Sequence, residues 1–177
     1  FHTHTPRSLC VAESDNTARI TSEGKVRHRG AEITVYGEGA QGVKLLGGIT
    51  LLDAKQKSTG SSSTDGKRTI GAAKTQANIG LEWEVPKVQG LVFDGRMVYT
   101  GSSYADAANT LKVGGWTRFD IGARYHTQIG RHEATFRARL DNVANKKYWA
   151  SVGGYPNSGY LNAGAPRSFT LSASVDF

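Results

Sequence analysis

The sequence has no run of about 18 apolar residues, so no helix in it is long and apolar enough to cross a bilayer. Its single cysteine, Cys10, excludes an internal disulfide, and no CxxC or Cys/His cluster stands at metal-ligand spacing. Four prolines accompany 22 glycines, a balance that suits a turn-rich β protein and argues against a helical bundle. The opening stretch FHTHTPRSLCVAES has neither an initiating Met nor a basic segment followed by an apolar one, so no export signal is visible. Either such a signal lies upstream, making the chain a piece of something longer, or the protein is not exported. Acidic charge is scarce: 15 Asp and Glu face 22 Lys and Arg, a formal charge of +7 over 177 residues. That excess admits nucleic acid, lipid A or small anions as partners and selects none of them. The length bounds about one domain.

What the chain does have is alternation. From about residue 26, period-2 stretches recur. GAEITVY (30–36) sets Ile33 and Val35 against Glu32, Thr34 and Tyr36. VKLLGGITLLDA (43–54) is apolar on both faces in places, and Gly47 with Gly48 predicts a bulge or a close backbone approach. TQANIGLEWEV (75–85) sets Ile79, Leu81 and Trp83 against Asn78, Glu82 and Glu84. LVFDGRMVYTG (91–101) opposes Leu91, Phe93, Met97 and Tyr99 to Asp94 and Arg96. In WTRFDIGARYHT (116–127), Phe119, Ile121 and Tyr125 oppose Arg118, Asp120, Arg124 and His126. In HEATFRARLDNV (132–143), Phe136, Ala138 and Leu140 oppose Glu133, Arg137, Arg139 and Asp141. The chain ends on PRSFTLSASVDF, where Phe169, Leu171, Ala173, Val175 and Phe177 share a face. A strand at a terminus must be paired, or it frays.

Short connections (GEGAQ, PKVQ, QIGR) alternate with long ones (55–74, 102–115, 149–166). In an antiparallel meander that alternation gathers the long loops at one end of the sheet and the tight turns at the other. Outer-membrane barrels have this asymmetry, and the strands have about the 9–11 residues that cross a bilayer when tilted. The expected fold class is therefore all-β, an antiparallel meander of about seven or eight long strands with the loop asymmetry of a transmembrane β-barrel. A barrel in lipid would turn the charged face to a wet lumen and the apolar face outward, whereas a soluble sandwich would turn the charged face to bulk water.

Catalytic chemistry is not legible. His126 and His132 flank a turn, and His2 with His4 offers two imidazoles without a third ligand. The same-face pairs Glu82/Glu84 and Arg137/Arg139 read as wall charges. GVKLLGG and VGGYPNSG do not match phosphate-loop spacing. No enzyme activity, cofactor or metal site is expected. At the long-loop end, Tyr104, Tyr155 and Tyr160 with Arg68 are candidate ligand contacts, and Trp116, Tyr148 and Trp149 are the expected aromatic girdle. Nucleic acid is not an expected partner, since its grooves interleave aromatics with cations on one face, whereas here they occupy opposite faces.

The string NIGLEWEVPKVQGLVFDGRMVYTGSSYADAANT, followed by GWTRFDIGARY, RARLDNVANKKYW and GAPRSFTLSASVDF, resembles the C-terminal part of the barrel of TonB-dependent siderophore receptors. The likeness runs in order over 25–177, while 1–24 fits poorly and reads as a loop or partial strand. It implies a plugged barrel of about 22 strands, of which this sequence holds about seven, or eight if Ser8 to Ala12 contributes one. The resemblance implies a ferric siderophore as transported ligand and a bacterial outer-membrane location. It also implies contact with the TonB complex through an N-terminal region lying outside this sequence. Phe177, aided by Phe169, Leu171 and Val175, resembles the signal read by the barrel assembly machinery. Outer-membrane lipid and lipopolysaccharide complete the expected partners. The competing expectations are a self-standing small outer-membrane barrel with a structural or adhesive role and a soluble, basic, ligand-binding β protein.

Overall fold

The computed structural model describes the backbone of residues 1–12, 18–155 and 158–177, and side chains outside 7–23 and 154–158. Eight long strands form a single antiparallel sheet. In chain order they begin with β1 (His2–Ala12), β2 (Ala18–Ala40), β3 (Val43–Lys57), β4 (Thr75–Glu84) and β5 (Leu91–Thr100). A two-residue pair, β6 (Ser103–Tyr104) and β7 (Lys112–Val113), interrupts the next connection. Then come β8 (Trp116–Ile129) and β9 (His132–Asp141), a second small hairpin of β10 (Trp149–Tyr155) and β11 (Ser158–Ala163), and finally β12 (Ser168–Asp176). The large sheet runs β1-β2-β3-β4-β5-β8-β9-β12, a meander in which the small hairpins stand outside.

The eighth strand is longer than Ser8–Ala12: β1 starts at His2 and pairs with β2 from His2↔Arg29 to Ala12↔Ala18. The expected bulge at Gly47 and Gly48 does not form. Register runs unbroken through Val35↔Gly47 and Thr34↔Gly48, and the irregularity lies instead between Glu38 and Ala40, beside the turn. The two glycines serve close approach: a Cβ at Gly47 would sit 3.3 Å from the Asn78 carbonyl, and one at Gly48 3.4 Å from that of Ile33.

Cross-strand register keeps the two faces separate over the whole width. On one face run Val43↔Trp83, Trp83↔Phe93, Met97↔Phe119, Tyr125↔Phe136 and Leu140↔Phe169. On the other run Lys44↔Glu82, Glu82↔Asp94, Arg96↔Asp120 and Arg124↔Arg137. Among the described residues the buried apolar set is small: Val26, Ala54, Ala73, Val113 and Ala134. The large apolar side chains, Ile33, Ile79, Leu81, Phe119, Ile121 and Phe169 among them, are exposed. A soluble sandwich would cover such a face with a second sheet; here the strands form one layer. β1 and β12 are its two edges, and no described pairing joins them, so the eight strands do not close into the small barrel that was the competing expectation. The pairing is staggered along the sheet, since β8 meets β5 through 116–125 and β9 through 121–129. Such stagger is the shear of a tilted barrel wall.

Candidate functional site: the charged wall and the clasped loops

The charged face is built from ion pairs that need the register. Asp94, Gly122 and Arg139 lie in one row across β5, β8 and β9. The Asp94 carboxylate reaches over Gly122 to Arg139, whose Nη1 donates to Oδ2 at 3.1 Å, while the same guanidinium's Nε donates to Asp141 at 2.9 Å. Glycine leaves the room in the middle: a Cβ there would meet the carboxylate and push it aside. Nearer the tight turns, Lys44 Nζ meets Glu84 at 2.7 Å and Arg124 meets Glu82 at 3.6 Å. These pairs are partly solvated and worth little each; their effect is to make this face wettable.

At the long-loop end the wall finishes in a buried polar knot. Asp120 is 1 % exposed. Its carboxylate accepts from Arg118 Nη2 at 2.9 Å and from the Asn142 backbone N–H at 2.8 Å. The Asn142 side chain in turn donates to the carbonyls of Lys146 and Ala165 and accepts from the Lys146 N–H, tying the start of the 142–167 connection to its end.

Trp116 and Tyr148 belong to this knot. Their rings lie 4.2 Å apart between centroids, and the Tyr148 hydroxyl accepts from Arg118 Nη1 at 3.2 Å. Trp116 stands two and four residues before Arg118 and Asp120, so strand alternation puts it on the charged face, opposite Thr100. For these two rings the girdle expectation gives way: a ring on the wet side of a wall does not meet lipid. Trp149, exposed and opposite Ala163 in the β10–β11 hairpin, stands apart from that pair.

The long loops are clasped to one another. Gln56, fully buried at the end of β3, donates from Nε2 to the carbonyls of Arg68 (3.1 Å) and Ala107 (2.8 Å). Asn109 takes the Arg68 peptide from both sides: its Oδ1 accepts the Arg68 N–H at 2.7 Å, and its Nδ2 donates to the Arg68 carbonyl at 2.9 Å. This side chain imitates one rung of a β-ladder, held by a backbone φ of 62° that Asn tolerates. Gly71 N–H donates to the Tyr104 carbonyl at 2.9 Å. Gly71 has φ 73° and lies so close to Val152 of the third long connection that a Cβ would strike its carbonyl.

Of the candidate ligand contacts, Arg68 and Tyr104 lie on two loops tied to each other, Arg68 through Asn109 and Tyr104 through Gly71, and both are half-exposed. Tyr160 is exposed and covers Gly153 across the β10–β11 hairpin. The Tyr155 side chain lies outside the described residues. No group of three or more His, Cys, Asp or Glu is placed to hold a metal ion among the described residues. The clasp residues Gln56 and Asn109 were not singled out from sequence: one stands at the end of β3 and the other in a loop, where period-2 alternation gives no signal.

The 102–115 loop has a pH-dependent brace. Asp106 accepts from the Thr110 N–H at 3.0 Å, the Leu111 N–H at 2.7 Å and the Thr110 hydroxyl at 2.9 Å. The Thr110 backbone bond first, then that of Leu111, holds its carboxyl below the usual range. A lowered carboxylate stabilises the loop above its unfolded value of about 4 and loses that effect as pH falls through the folded value. Amide exchange at Thr110 and Leu111, corrected for intrinsic rates, is expected to stay protected at pH 6 and to lose protection below about pH 4. Asp106→Asn should remove the pH dependence; protection unchanged down to pH 2 would disprove this brace.

With one apolar face, one charged face and clasped loops on the page, comparison with known proteins is direct. Residues 5–143 match the family model described as TonB dependent receptor-like, beta-barrel. The chain belongs to the TonB-dependent receptor β-barrel family. It is similar to the ferrichrome receptor FcuA of Yersinia enterocolitica, 42% identical over 155 residues, which cover 87% of this chain and 20% of that protein. The ferrichrome outer membrane transporter/phage receptor of Escherichia coli is 29% identical over 80% of this chain and 19% of its own length. Among solved structures, the ferric preacinetobactin receptor BauA of Acinetobacter baumannii superposes with a TM-score of 0.85 and 37% identity, over 99% of this chain and 26% of that one. The chain therefore spans about a fifth of the length of the curated relatives it matches. The family is one of transport receptors in the bacterial outer membrane, so the apolar face of this sheet is the lipid face.

Proposed function

We propose that the chain supplies C-terminal barrel strands and extracellular loops to an outer-membrane receptor that takes up ferric siderophores. The observation that supports this reading is the clasped loop end, which ties the loops bearing Arg68 and Tyr104 to each other above a wall that is apolar outside and charged within. A ferric siderophore is a bulky chelate, frequently anionic, and aromatic faces with a cation suit it. Tyr160 and Tyr155 would extend that surface. The ferric siderophore is transported ligand, not cofactor, and the reading assigns no catalysis. Phe177, with Phe169, Leu171 and Val175, would present the C-terminal strand to the barrel assembly machinery, and Trp149 would sit in the aromatic belt beside lipid and lipopolysaccharide. Contact with the TonB complex would lie in the part of the relatives' length that this chain does not match.

The test is equilibrium binding of a panel of ferric siderophores, ferric ferrichrome first, to a whole receptor carrying this chain. Arg68→Ala with Tyr104→Ala should weaken the ligand bound by about tenfold or more, with heat-modifiable migration of the barrel unchanged. Absence of saturable binding for hydroxamate and catecholate chelates alike would end the siderophore reading.

A further inference from the structure

Neither of the first two long connections has a core of its own. Among the described residues, the 58–74 connection buries one apolar side chain, Ala73, and the 102–115 connection one, Val113. A segment without a core keeps its order through the polar groups that hold it. Here those groups belong to β3 and to the other loop.

Residues 67–69 lie along the end of β3 as a short added piece of sheet. The Lys67 carbonyl accepts from the Gln56 N–H at 2.8 Å, the Thr69 N–H donates to the Ala54 carbonyl at 3.1 Å, and Arg68 is bridged to Lys55. Successive residues of an extended chain turn their peptide groups to opposite sides, so the Arg68 N–H and carbonyl face away from β3. Asn109 of the second loop takes both of them, standing where a further strand would stand. Gln56 Nε2 reaches the same Arg68 carbonyl and also that of Ala107, so one buried amide bridges β3 and both loops. The Gly71 to Tyr104 backbone bond completes the tie. The β10–β11 hairpin leans on this junction, with Val152 against Gly71 and Gly159 beside the Ala105 carbonyl.

We propose that the 58–74 and 102–115 connections are one cooperative unit, locked by Asn109, which opens whole or not at all. Releasing either loop breaks the same bonds, so neither gains a freedom that the other does not share. A molecule that engages Arg68 on the first loop therefore also orders the segment that carries Tyr104 on the second. That consequence rests on the siderophore reading. The coupling itself does not, and it is measured without ligand.

The test is amide hydrogen exchange on a whole receptor carrying this chain, in detergent, followed at Gly66 and Thr69 in the first loop and at Ala105 in the second. Their N–H groups donate to the carbonyls of Gln56, Ala54 and Leu111, so none of the three bonds directly to Asn109. A single opening should give all three the same protection factor. Asn109→Gly keeps the left-handed backbone found at φ 62° and removes both side-chain bonds to Arg68. It should lower protection at all three amides together by about tenfold or more, with the β8–β9 ladder unchanged. Asp106→Ala is the second variant, since the hydrogen bonds of that carboxylate among the described residues, to Thr110 and Leu111, stay within its own loop. Loss of this brace should still reach Gly66 and Thr69. Loops that open separately would overturn the coupling: Asp106→Ala would then loosen Ala105 and leave Gly66 and Thr69 as they were, or the two loops would differ in protection from the start. A loss from Asn109→Gly that extends into the β8–β9 ladder would overturn it equally, because Asn109 would then be holding the barrel wall.

Discussion

Asp120→Ala should destabilise the folded chain by about 3 kcal/mol, roughly a hundredfold in the folding equilibrium. The substitution removes the only carboxylate that Arg118 pairs with among the described residues, and the acceptor of a buried N–H at Asn142. Breaking a buried ion pair from one side is costly because the surviving charge stays behind unpaired. The lower end of the usual range applies, since the Arg118 side chain keeps 24% of its surface exposed and can recruit water. Asp120→Asn keeps an acceptor for the Asn142 N–H and loses only the charge, so about half the cost is expected. Urea unfolding in detergent or lipid vesicles measures both. If the two variants lose the same stability, the ionic half of this account is wrong. The effect should spread to the 142–167 connection, because Asn142 links its two ends through Lys146 and Ala165.

Phe136→Arg is the second large effect, at about 2–4 kcal/mol, the cost of a cation on the lipid face near the bilayer midplane. Phe136 lies in the middle of β9, opposite Tyr125 on one side and Ala173 on the other, with its face turned to hydrocarbon. The adjacent substitution Arg137→Phe places an aromatic ring on the wet face and should stay within about 1 kcal/mol. Reversible unfolding from lipid vesicles compares the two. Equal costs, or a larger one at Arg137, would invert the assignment of faces on which the membrane reading depends. The contrast is sharp because the two residues are neighbours on one strand at nearly the same depth, paired to the same two strands on either side.

Which features were legible in the sequence follows from how far apart the interacting residues lie. Alternation is local: Phe119, Ile121 and Tyr125 share a side because successive strand residues point opposite ways, whatever the strand's neighbours are. The faces, seven of the eight strands and the ordering of long and short connections were therefore readable, and the sheet reproduces them, while the first strand was read only as a possible Ser8–Ala12 segment. The same parity rule would have found Trp116 on the side of Arg118 and Asp120; grouping it with Tyr148 and Trp149 as a girdle relied on residue type and nearness to the loops. The β6–β7 and β10–β11 hairpins escaped notice because strands of two to seven residues carry too little alternation to separate strand from loop.

The sequence by itself determined a sheet with an oily side and an ionic side, because period-2 patterning needs no partner to be read. Only the tertiary structure decided which charges meet. Register puts Asp94 within reach of Arg139 over a glycine, leaves Arg124 facing Arg137, and brings Asn109 to the Arg68 peptide 41 residues away. Those outcomes depend on the stagger accumulated strand by strand across the sheet, and a one-residue slip would exchange every partner while leaving each strand's own pattern untouched.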